Sequence, residues 1–129
     1  MAPPNVTVLM TAYNRAEFIG PAIESVLAQT FAAFELMIVD DCSTDGTLDV
    51  VRLYERLDSR VRVVVNERNL GDYGNRNHAA TFVRTPLFKY HDSDDLMYPH
   101  CLQVMVSMMD AEPRAGFGLS VGAAWPGGP

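Results

Sequence analysis

The sequence predicts an α/β protein in which a mostly parallel sheet is flanked by helices. Three observations lead there: β-branched apolar runs alternate with segments of helical periodicity, the runs are short enough to be buried strands, and polar clusters follow them. The apolar runs place strands at Val6–Thr11, Phe34–Asp40, Val61–Asn66 and Leu87–His91, with a fifth near Phe117–Val121. Ile19, Ile23, Val26 and Leu27 recur at helical spacing. So do Leu48, Val51, Tyr54 and Leu57, and later Leu102, Met105, Val106 and Met109, each set marking one core-facing helix. The Met105, Met108 and Met109 group reads as core filling. Ser43-Thr44-Asp45-Gly46 suits a tight loop and a cap for the helix opening at Thr47, and Pro99 suits a first helical turn.

At 129 residues, 48% hydrophobic and 20% charged, the chain has the size of one domain with a real core. That domain is expected over residues 1–121. The tail 122–129 is rich in Gly and Pro and has no helical pattern, the look of a chain cut from something longer. A net charge of −6 opposes an extended nucleic-acid interface. Cys42 and Cys101 lie in no zinc or disulfide-framework spacing and are expected as free thiols in a reducing cytosol. The sequence holds no signal-peptide pattern and no run of 18 apolar residues, so the expected location is cytoplasmic.

The chemistry gathers after the strands, where open α/β sheets bind ligands: Ala12-Tyr13-Asn14-Arg15 after the first, Asp40-Asp41 at the end of the second, and Asp92-Ser93-Asp94-Asp95 after the fourth. Three carboxylates in four residues repel one another unless donors or a cation compensate. Mg²⁺ or Mn²⁺ takes one or two carboxylates together with phosphate oxygens, which points to a diphosphate ligand. An acidic turn or a helix cap explains such a cluster equally well when it stands alone. His91, as the last residue of a strand, reads as a packed or hydrogen-bonded imidazole rather than a metal ligand or proton shuttle.

Ordered segments then narrow the reading. Val8-Leu9-Met10-Thr11-Ala12-Tyr13-Asn14-Arg15, Ser25-Val26-Leu27-Ala28-Gln29-Thr30-Phe31 and Phe34 through Thr47 resemble the opening of family 2 glycosyltransferases. Asn69-Leu70-Gly71, Asn75-Arg76-Asn77-His78-Ala79 and Asp92-Ser93-Asp94-Asp95 resemble its middle motifs. The resemblance implies a GT-A, Rossmann-like fold, here incomplete. It also implies metal-dependent, inverting transfer of a glycosyl group from a nucleoside-diphosphate sugar, a UDP-sugar above others, to an acceptor hydroxyl.

By the same resemblance, Thr11, Ala12, Tyr13, Asn14 and Arg15 cradle the nucleotide, Tyr13 stacking on the base. Asp41 accepts a hydrogen bond from the base, with Asp40 beside it. Asp94 contacts ribose or metal, Asp95 holds Mn²⁺ or Mg²⁺, and Asp92 is a third member of that site. Arg76 lies near the diphosphate or sugar, or else pairs with an acidic neighbour. The loop Gly71-Asp72-Tyr73-Gly74 departs from the family's commonest form, which leaves the sugar open. The acceptor is a sugar, a lipid-linked sugar or a protein, and the full-length protein is expected at the cytoplasmic face of a membrane.

The family's general base follows the metal motif at a distance, whereas no Asp, Glu or His follows Glu112, so the chain is expected to bind donor without completing catalysis. A non-catalytic nucleotide- or phosphate-binding regulatory module is the alternative. It fits less well, because a phosphoacceptor receiver needs an acidic pair after its first strand, where Thr11-Ala12-Tyr13-Asn14 stands. A nucleotidyltransferase would bring a Gly-rich basic loop there, and Arg15 is the one basic residue present.

Overall fold

The computed structural model describes residues 3–119. Four strands form one parallel sheet: β1 (Val6–Ala12), β2 (Phe34–Asp40), β3 (Val61–Val65) and β4 (Leu87–Tyr90), in the spatial order β3-β2-β1-β4. Helices α1 (Ile19–Leu27), α2 (Thr47–Leu57), α3 (Asp72–Ala80) and α4 (Cys101–Ala111) connect and follow them. In register, Val6 lies beside Phe34 and Leu87, and Ala12 beside Asp40, so β1 and β2 end level and their loops emerge together. The order runs outward from β1 to β3 and then jumps to β4 on the other side. The switch between β1 and β4 opens a crevice at the carboxyl edge.

The period-2 alternation of the strands divides the core. Val6, Val8, Met10, Leu36 and Ile38 pack with Ile19, Ile23 and Val26 of α1, Val51 of α2, and Leu102 and Val106 of α4. Leu9, Met37 and Val39 face the other way, onto Ala79 of α3. β1 and β2 are buried almost end to end, which is why they read as continuous apolar runs rather than as alternation.

The helical expectations need adjustment in detail. Leu57 is exposed at the end of α2, and Met108 is exposed on the outer side of α4 while Met105 and Met109 are half-buried, so only part of that methionine group fills the core. These residues lie beyond the stripe that the sheet can cover. Pro99 precedes α4 instead of entering its first turn, and its carbonyl accepts a hydrogen bond from Thr30 N at 2.8 Å. Of the expected fifth strand, Phe117–Leu119 is not a strand and residues 120–121 lie outside the described residues, as does the tail 122–129. α3 was not among the helices marked by apolar spacing.

One buried amide locks the far side of the sheet. Gln29 Nε2 donates to Tyr98 O at 2.6 Å and to Ser25 O at 3.2 Å, and its Oε1 accepts from Leu102 N at 3.0 Å. Ser25 Oγ accepts from Met97 N at 3.0 Å. The Ser25–Phe31 segment thus seats the start of α4, satisfying an amide that a helix start leaves unpaired. At the α2–β3 turn, Arg60 grips Asp58 (Nη2 to Oδ2, 2.8 Å), donates to Leu27 O and lies 4.8 Å over the Phe34 ring.

Replacing Gln29 with Leu is expected to cost about 2–3 kcal/mol in urea unfolding, because Tyr98 O and Leu102 N lose their partner where water is excluded. The Arg60 hydrogen bonds hold the Asp58 carboxyl below its ordinary value, burial opposing them only in part. A depressed carboxyl contributes stability above its unfolded value of about 3.9 and loses it as the pH falls further. Asp58→Asn should therefore melt below wild type at pH 7, with the gap narrowing in thermal scans taken below about pH 3.9.

Candidate functional site

A cleft of about 500 Å³ opens at the carboxyl edge over β1 and is lined by residues from all four strand ends. Thr11, Ala12, Tyr13 and Arg15 come from β1 and its loop, Asp41 follows β2, and Asn69 and Gly71 follow β3. Asp72, Asn75 and Arg76 come from α3, and Asp92, Ser93 and Asp94 follow β4. The volume is that of a small-molecule or cofactor site.

The β1–α1 and β2–α2 loops brace each other. Asn14, at a left-handed φ of 51°, accepts from Thr44 N at 2.8 Å through Oδ1, and its own N donates to Ser43 Oγ at 3.0 Å. Arg15 N donates to Thr47 Oγ1 at 2.8 Å, and Asp45 accepts from Ala16 N and Thr47 N. Asp40 turns away from the cleft and takes both the N and Oγ of Ser43, at 2.9 and 2.6 Å. Asn14 and Asp40 are therefore placed as loop supports outside the lining. Tyr13 is 44% exposed, an aromatic surface on the cleft wall.

Asp41 is 2% exposed yet lines the cleft. Its Oδ1 accepts from Leu70 N at 2.7 Å and Asn66 Nδ2 at 2.8 Å, and its Oδ2 from Gly71 N at 2.9 Å. Two backbone donors thus come from the Asn69-Leu70-Gly71 turn. Gly71 adopts φ 79°, a conformation that side-chain-bearing residues rarely take.

Arg76 is held between two carboxylates, Nε to Asp72 Oδ1 at 3.0 Å and Nη2 to Asp92 Oδ1 at 2.7 Å, and lies 5.7 Å over the Tyr90 ring. The Asp92 hydrogen bond, with Asp72 assisting against burial, raises the guanidinium above its ordinary value. Arg15 Nε approaches Asp94 Oδ2 at 3.8 Å, with both side chains about half exposed. Of the two readings of Arg76, the structure displays the pairing with acidic neighbours, and it places that pair on the cleft wall.

Asp92 and Asp94 line the cleft, whereas Asp95 is exposed and outside the lining. Among the described residues no three His, Cys, Asp or Glu side chains converge closely enough to hold a metal ion. His91 is buried, and burial depresses its imidazole below the ordinary value. Its Nε2 lies 3.0 Å from Asp95 O, so it fastens the acidic turn, in keeping with a hydrogen-bonded imidazole. Sequence reasoning passed over Asn66, Asn75, Asp72 and Ser93 as site residues. The position of Asn66 directly after β3, at the same sheet edge as the other clusters, was the signal available for it.

Comparison with known proteins shows the family and agrees with the fold. Residues 7–124 match the sequence profile described as Glycosyl transferase family 2. The chain is 36% identical over 104 residues to the UDP-Glc:alpha-D-GlcNAc-diphosphoundecaprenol beta-1,3-glucosyltransferase WfgD of Escherichia coli, a match covering 81% of this chain and 40% of that protein. Among solved structures, S. aureus TarS 1-349 in complex with UDP-GlcNAc superposes with a TM-score of 0.78 at 27% identity, over 91% of this chain and 37% of that one. The mannosyltransferase PcManGT of Pyrobaculum calidifontis in complex with GDP-Man and Mn²⁺ gives 0.78 at 26% identity, over 90% of this chain and 35% of that one. The chain spans 30–40% of the length of the first curated relatives it matches.

Gly71→Ala tests the turn that holds Asp41. Nothing lies within 4 Å of the added Cβ, so the cost is conformational, about 1 kcal/mol in denaturant unfolding. The accompanying loss of protection at the Leu70 and Gly71 amides should be visible by hydrogen exchange.

Proposed function

The chain belongs to glycosyl transferase family 2, and from that membership we propose that its cleft binds the nucleoside diphosphate of a sugar donor, by preference a UDP-sugar, for transfer of a glycosyl group to an acceptor hydroxyl. The observation that carries this reading is the convergence of an exposed aromatic, a buried carboxylate, two guanidiniums and an acidic turn in one cleft at the sheet's switch point. Tyr13 offers a face for the base, Thr11 and Ala12 form the floor beside it, and Asp41 accepts the base N–H. Arg15 and Arg76 face the diphosphate. Asn14 and Asp40 serve the same site by holding the loops that carry Arg15 and Asp41.

The acidic turn offers one or two carboxylates, enough for a hard divalent cation that takes its other oxygens from a diphosphate. Asp41, Asp72, Asp92 and Asp94 line the cleft against Arg15 and Arg76, so the lining is net negative before a diphosphate adds its own charge. Asp94 is half exposed and, among the described residues, makes a single ion pair at 3.8 Å, which leaves oxygen donors for Mn²⁺ or Mg²⁺. In this reading Asp94 and Asp95 would hold the ion together with diphosphate oxygens, and Asp92, here paired with Arg76, would be the third member of that site. The ion, when bound, offsets the charge that develops on the leaving diphosphate.

Inverting displacement also needs a carboxylate to take the acceptor's proton. The cleft's carboxylates have other commitments: Asp41 to three donors, Asp72 and Asp92 to Arg76, and Asp94 to Arg15 and the ion. We therefore assign the base to none of these four carboxylates, so that the cleft as described binds donor better than it turns it over. The E. coli relative is named for a lipid-linked sugar acceptor, which supports a lipid-linked acceptor here ahead of a free sugar or a protein. Such an acceptor would place the work at a membrane surface, which we propose to be the cytoplasmic face. Among the described residues no helix is long and apolar enough to cross a membrane.

Isothermal titration of UDP with and without Mn²⁺ tests the reading. UDP should bind at least about tenfold tighter with Mn²⁺, and Asp94→Ala should abolish that gain. Tyr13→Ala should weaken UDP about tenfold, the value of one stacked base. Equal affinity in EDTA would overturn the metal assignment, and silence toward UDP, GDP and other nucleotides would overturn the donor site.

A further inference from the structure

Two buried amides, Asn75 in the cleft's lining and Asn66 outside it, form a chain that the donor-site reading does not use. Asn66, 6% exposed, spends both Nδ2 hydrogens on Asp41 Oδ1 and Asn75 Oδ1, each at 2.8 Å, while its own Oδ1 accepts no hydrogen bond from any of the described residues. Asn75, also buried, donates Nδ2 to Val39 O at 3.1 Å. Val39 and Asp41 belong to the same chain segment, so the amides close a circuit from the end of β2 through the end of β3 to α3 and back.

A buried carbonyl oxygen without a donor costs about 1–3 kcal/mol, so the arrangement serves the Asp41 carboxylate at the expense of the amide's own oxygen. Turning the Asn66 amide over would set its oxygen against the Asp41 carboxylate, so the carboxylate fixes the amide, and the amide together with Leu70 N and Gly71 N fixes the carboxylate plane. Three of the roughly four lone-pair directions of Asp41 are then occupied, and the residue lines the cleft.

We propose that Asn66 and Asn75 are positioning residues for base selection: their amide circuit aims the remaining acceptor direction of Asp41 at the ring N3–H of uracil. The inference rests on the donor-site reading and adds to it the residues that set its choice of base. Cytosine presents a lone pair at ring position 3, so a carboxylate held rigidly there rejects it. A carboxylate free to swing does not.

The test is titration of UDP and CDP into wild type, Asn66→Leu and Asn75→Ala, with thermal unfolding of each. Wild type should prefer UDP. Each variant that melts cooperatively should lose about tenfold in UDP affinity with CDP affinity unchanged, so that the preference collapses. Asn75→Ala breaks the circuit one link further from Asp41 and serves if Asn66→Leu does not fold. An undiminished UDP preference in a folded variant overturns the inference alone, as does an equal loss for both nucleotides. A wild type that binds neither nucleotide overturns the donor-site reading and the inference with it.

Discussion

The structure turns on one buried carboxylate. Placing Asp41 out of water costs several kcal/mol unless its oxygens are met by donors, and they are met from two directions at once: the turn after β3 and the amide of Asn66. That requirement ties the turn, and with it α3, to the end of β2. The tie matters because the sheet face under α3 is thinly packed. Among the described residues its buried apolar set is Leu9, Met37, Val39 and Ala79, against sixteen on the opposite face. On the rich face hydrophobic burial holds the helices; on the poor face the polar anchor carries much of the same task, and Arg76 reaches the cleft because α3 is held there.

This division also explains what could be read in advance. β1 and β2 announce themselves because both of their faces are covered, so they appear as unbroken apolar runs. α3 does not, because Asp72–Ala80 carries Gly74, Asn75, Asn77 and His78 and buries only Asn75 and Ala79. Its helicity comes from its anchoring and not from an apolar stripe. The clusters after β1, β2 and β4 were legible because ligand sites of open α/β sheets lie at that edge.

The different duties of Asp40 and Asp41 were not legible. Neighbouring residues at a strand end point to opposite sides, and nothing in Asp-Asp says which side holds the cleft and which holds Ser43. Asn66 and Asn75 escaped for a different reason. A neutral amide leaves no charge pattern, and its role exists only once β3 and α3 have brought it beside a carboxylate. The acidic turn carried the opposite risk, since its charge draws attention whether or not it gathers an ion.

The cleft thus has two walls of different stiffness. Around Asp41, itself 2% exposed, the Asn66 bond is buried and those from Leu70 N and Gly71 N are part-buried, and breaking one strands a desolvated charge or amide, at about 1–3 kcal/mol. Across from it, Arg15–Asp94 and Arg76–Asp92 are partly solvent-exposed pairs, of a kind worth about 0–1 kcal/mol. A ligand can exchange those partners at small cost, provided it supplies charges of its own. On the proposed reading the base meets the stiff wall, where a fixed acceptor discriminates between ring edges, and the diphosphate meets the wall whose guanidiniums are already charged and paired with carboxylates that water reaches. Selectivity and adaptability then come from the same physical difference, the extent to which water reaches each pair.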